Sequence, residues 1–191
     1  MKKIPYVNCD AVLGRFSSSE EAAALLDTAA PPEHALEAFH QAGLVLDVIN
    51  FFAHALPPRE GICWALSMMS GFPATSPDAV SARQTARNWV NEPSEKYRRR
   101  CGELADALGT DGLDGWLCNA VFWNGSGSIV AQGMPVVLPQ PFLHAKAVFG
   151  AIGLMIPTDP KPRADFAVRV YRTGLAVANG GWPCLDVGGE V

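Results

Sequence analysis

In stretch after stretch of this chain the apolar positions fall three or four residues apart, the spacing of a helix face, and proline, glycine and hydroxyl residues punctuate them. Ser17, Ser18 and Ser19 ahead of Glu20 and Glu21 put caps beside acidic first-turn residues, which predicts a short helix over residues 19–27. Pro31, Pro32 and Glu33 open a second, carried by Ala35, Leu36 and Phe39 and ended or bent at Gly43. Residues 44–56 are apolar nearly all round, through Leu44, Leu46, Val48, Ile49, Phe51, Phe52 and Leu56, so this helix is predicted to lie at the centre of the core. Pro57 and Pro58 stop it, and residues 59–69, with Ile62, Trp64, Ala65, Leu66 and Met68, form its partner in an αα-hairpin.

Ser76-Pro77-Asp78 and Pro93-Ser94-Glu95 each start a further helix, running to about Val90 and to Leu108, and both read as polar and solvent-lapped. Residues 113–123 form the next, stopped by Asn124-Gly125-Ser126-Gly127-Ser128. Residues 130–141 hold Pro135, Pro139 and Pro141, too many prolines for a helix or central strand, and are expected to be an ordered loop or short edge hairpin. A second buried helix is predicted over residues 142–155, its Gly150 and Gly153 admitting close neighbours, and a last one over 163–178 with Phe166, Val170 and Leu175 inward. The pattern predicts an all-α fold, a compact bundle of about six to eight helices that stacked hairpins would also satisfy. Residues 1–191 form one domain in this reading, with 1–16 and 180–191 as irregular ends and Leu46, Ile49, Phe52, Trp64, Leu117, Phe149 and Val170 in the core.

Composition narrows the classes. Hydrophobic residues make up 49% and charged residues 18%, so more apolar surface is expected than usual, from alanine-rich helices or from a face that another protein covers. A net charge of −4 argues against general nucleic-acid binding, and Lys96, Arg98, Arg99 and Arg100 read as a solvated helix face. Ile4-Pro5-Tyr6 after Met1-Lys2-Lys3 provides no apolar stretch for a secretory signal, and the apolar run 147–156 is too short to cross a bilayer. Cys9, Cys63, Cys101, Cys118 and Cys184 are widely spaced and odd in number, which suggests reduced thiols in a cytoplasm.

Candidate chemistry is sparse. Glu37-x-x-His40 is half of a di-iron motif but occurs once, and His34 lies six residues from His40, so no metal or cofactor is expected. Cys63 with His54, and Cys118 with His144, are formal Cys–His pairs without a nucleophile context, and the thiols read as small core residues. The glycine-serine run at 124–128 lacks the Lys of a phosphate loop and reads as a helix stop. Trp64, Trp89, Trp116 and Trp123 sit at helical spacing and are expected in the core. Glu60 suits the positive end of the helix after Pro57-Pro58, whereas Arg59 opposes it and needs a partner: Asp47, or carbonyls at the end of the preceding helix. Pro57, Arg59, Glu60 and Trp64 therefore define a candidate structural corner, and no residue is singled out as catalytic or metal-binding.

The segment from Ala53 to Ala65, with Leu56-Pro57-Pro58-Arg59-Glu60 at its centre, resembles the signature of an uncharacterised family of small bacterial proteins. Leu117 to Trp123 and the apolar helix from Ala145 are similar to that family's second half, and Cys63-Trp64 stands where the family favours two aromatics. Members are encoded near type VI secretion genes. The resemblance implies an accessory, adaptor or chaperone-like protein, with a secretion spike-tip, adaptor or effector component as partner and no catalytic residues. A small enzyme of unrecognised type and a toxin-binding immunity protein remain open alternatives.

Overall fold

The computed structural model describes residues 1–186, and among the described residues every regular element is helical. After a one-turn α1 (Asp10–Leu13), helix α2 (Glu20–Leu25) starts from Ser19, whose Oγ accepts the Ala22 N–H at 3.1 Å. Helix α3 (Pro32–Gln41) stops at Gly43, which takes φ of 71° while the Leu44 N–H turns back to Phe39 O. Helices α4 (Val45–Ala55) and α5 (Pro58–Met68) are joined by the expected proline corner, and α5 runs on into a short 3-10 turn (Met69–Gly71). Ser76 and Ser94 cap α6 (Pro77–Asn91) and α7 (Glu95–Leu108) as Ser19 caps α2. Then follow α8 (Leu113–Phe122), α9 (Leu143–Gly153), α10 (Pro160–Ala178) and the one-turn α11 (Pro183–Asp186).

Buried apolar side chains from Ile4 to Cys184 join in one connected core. Helix α5 runs through its middle, touching α6, α8, α9 and α10, while α4 packs on α3, α9 and α10. Ile49, Phe52, Trp64, Leu117 and Val170 are fully buried as expected. Leu46 is not: it is 46% exposed, because the face of α4 that enters the core runs through Val45, Val48, Ile49 and Phe52, and the buried polar position beside it belongs to Asp47. Phe149 is only partly buried, at the rim of the core.

Two further expectations change, and one holds. Helix α10 begins three residues early, since Pro160 and Pro162 occupy its first turn, where an N–H has no helical acceptor to lose. Residues 130–141 form the expected loop rather than a hairpin, with no strand and one Ile129 N–H to Val137 O bond of 2.8 Å across its base. Helix α7 is not a solvated face throughout, because Arg98 is completely buried. Residues 187–191 of the predicted irregular tail lie outside the described residues.

Candidate functional site

The corner residues meet two other parts of the chain. Arg59 does not reach Asp47; its Nε donates to Val90 O at 2.6 Å and an Nη to Asn91 O at 3.0 Å, the last carbonyls of α6. Asp47 instead accepts both the N–H and the hydroxyl of Ser19, each at 2.9 Å, so its carboxylate ties α2 to α4. Arg59 sits at the unfavourable end of its own helix but at the favourable, electronegative end of α6, which resolves the apparent conflict. Its guanidinium also lies over the Trp182 ring, 4.6 Å from the centroid. Glu60 is buried and pairs with Lys3 at 3.0 Å, and Trp64 packs against Phe52 with ring centroids 5.3 Å apart.

Arg59 is one case of a repeated device. Arg15 donates to His54 O at 2.7 Å at the end of α4, and Arg169 donates to Met68 O at the end of α5. Arg98 donates to Phe122 O at 2.9 Å at the end of α8. Helix ends leave carbonyls without intrahelical donors, and here arginines from distant sequence supply them. Arg83 works similarly on Phe72 O just past α5, and grips Asp114 with contacts of 2.6 and 3.2 Å.

The Arg98 site builds the most distinctive surface of the molecule. Besides Phe122 O, its guanidinium holds Ser128 O at 2.8 Å and Glu95 through two contacts of 2.6 and 2.7 Å. Paired with Arg98 first and Arg99 second, the Glu95 carboxyl is held down at about 2. Arg99 donates to Val130 O at 2.6 Å, so both arginines fix the start of the loop that follows α8. Ser128 Oγ accepts the Val137 N–H at 3.1 Å, closing the loop at its base. Beyond this clamp the chain presents Met134 (63% exposed), Val136 (76%), Val137 (46%) and Leu138 (58%) to solvent. A cleft of about 550 Å³, lined by Arg99, Gly102, Glu103, Phe122 and Val130, adjoins the clamp. Arg98, expected on a solvated face, lies instead on the buried stripe of α7, where its spacing to Cys101 and Ala105 puts it.

The histidines and cysteines do not form Cys–His pairs. The His54 ring is buried, with Nδ1 2.9 Å from Asn50 O and Nε2 without a partner. Burial lowers its pKa, and burial reinforced by His54 and Arg15 lowers that of His144 to about 4. Cys63 meets Cys184, Sγ to Sγ at 2.8 Å, and Cys101 lies beside Cys118. His40 stacks on Tyr171 at 4.1 Å.

The molecule is thus an all-α protein whose arginines, one of them fully buried, clamp helix ends and one apolar loop. It belongs to DUF6931, a family of unknown function whose model matches residues 35–178, most of the described helices and the whole corner. No curated protein and no solved structure matches the chain.

Proposed function

We propose that this protein is a non-enzymatic accessory module that binds another protein through the loop between α8 and α9, as an adaptor or chaperone. The observation that carries this reading is the run Met134, Val136, Val137 and Leu138, exposed together on a loop that Arg98 and Arg99 hold in place. Contiguous apolar surface of this kind costs solubility and is typically retained where a partner covers it. Pro135, Pro139 and Pro141 restrict the backbone, so little ordering entropy is left to lose on binding. The resemblance of the Ala53–Ala65 segment to proteins encoded beside type VI secretion genes supports a spike-tip, adaptor or effector component as the partner, in the cytoplasm.

The test is capture from the native host with the wild type and with a Val136→Asp, Leu138→Asp variant. Both side chains are exposed, so thermal unfolding should be unchanged within experimental error while the partner is lost from the captured set. Retention of the same partner by the variant would overturn the assignment. A captured toxin would support the immunity alternative at the same surface.

A further inference from the structure

We propose that Cys63 and Cys184 are a redox modification site: hydrogen peroxide joins them in a disulfide that clamps the C-terminal turn α11 onto α5. The two sulfurs stand 2.8 Å apart, both side chains are buried, and 121 positions separate them in sequence. Cys63 lies in the middle of α5, whereas Cys184 lies on a four-residue helix wedged among α5, α6 and α10. A single turn at this position opens more readily than the core helices, and its opening brings oxidant to both thiols.

The Cys184 S–H donates to Cys63 Sγ, and that bond favours ionisation of Cys63 while the same contact and burial hold Cys184 protonated. Cys63 is therefore the attacking thiolate. Its sulfur takes a peroxide oxygen as the O–O bond breaks, giving a sulfenic acid and, with the thiol proton, water. The Cys184 sulfur then attacks the sulfenic sulfur. The S–S bond forms, the S–O bond breaks, and the hydroxyl leaves with the Cys184 proton as a second water. In sum two thiols are oxidised and one peroxide is reduced. The clamp also fixes Trp182, two residues before Cys184, whose ring covers Arg59 and lies 5.5 Å from Lys3 Nζ.

The site is tested on the full chain treated with hydrogen peroxide, alkylated, and digested with trypsin without reduction. Tryptic peptides 60–83 and 173–191 each contain one cysteine, so a linked pair lighter by two hydrogens reports this disulfide alone. Oxidised wild type should carry that species and unfold roughly 5–15 °C higher, given the long loop it closes, with reversal by a phosphine reductant. Cys184→Ser should lose both signals, and Cys101→Ser, which breaks the other cysteine pair, should keep both. The proposal is overturned if peroxide takes Cys63 to a sulfinic acid without the linked peptide, or if the linked peptide brings no reversible rise in Tm.

Discussion

Arg59, Arg98, Arg15 and Arg169 each sit far in sequence from the carbonyls they satisfy, and each could be misread as an ordinary surface cation. A guanidinium offers five donors in a planar fork, which suits the divergent carbonyls of a helix end better than a lysine ammonium does. Arg59 shows the consequence most directly, since truncation strands Val90 O and Asn91 O and removes the cation beneath Trp182. Arg59→Ala is expected to lower stability by about 1–3 kcal/mol, read from urea unfolding, with Arg59→Lys recovering only part. Unchanged stability together with lost partner capture would move the corner from scaffold to binding surface.

At the scale of elements, helix spacing is set where one backbone meets another's side chain. Gly174 of α10 faces the Phe52 ring of α4 so closely that an added Cβ would lie 2.6 Å from it. Phe52 cannot retreat, because Trp64 and Tyr171 pack on it with centroids 5.3 and 6.5 Å away. Gly174→Ala should therefore cost about 1–3 kcal/mol by overpacking. Gly153 of α9 has nothing within 4 Å of the same position, and Gly153→Ala should be neutral or stabilise by under about 1 kcal/mol through helix propensity. Equal effects of the two in thermal unfolding would refute the close-packed crossing.

The contrast shows what the sequence could reveal. Helix existence, the serine caps and the proline corner are local properties, and Ser19, Ser76, Ser94 and Pro58 announce them. Gly150 and Gly153 look equivalent in sequence, yet Gly150 meets Trp116 and Gly153 meets open space, because which glycine faces a neighbour depends on how helices cross. The same holds for Leu46 and for Arg59, whose acceptors lie 31 and 32 residues away. The place of Arg98 on the apolar stripe of α7 is legible locally, and so is the proline-rich loop; that the one holds the other is not, because the contact to Ser128 O spans 30 residues.

Over the whole molecule, segments outside the family-matched residues 35–178 close over the signature helices: Lys3 and Trp182 on the corner, Ser19 on Asp47, and Arg15 on the end of α4. Arg15 stacks between Tyr6 and Phe142 at 4.4 and 4.3 Å, and Phe142 in turn lies 6.4 Å from the buried His54 ring, near half-buried His144. Arg15 and Lys146 face His54, and Arg15 and His54 face His144, so a proton on either ring meets burial and like charge. The folded-state pKa of His144, about 4, lies below its ordinary value of 6.5, so the unfolded chain binds more protons between those limits. Stability should be fully present above pH 6.5 and fall as pH drops toward 4. Glu95 acts in a lower window, its contribution present above 4.5 and lost toward pH 2, so the two effects separate in a pH series. His144→Gln should make the Tm profile shallower between pH 6.5 and 4, leaving the His54 share and the Glu95 limb in place. A wild-type profile already flat across that interval would show that the flanking segments do not seal the histidines from water.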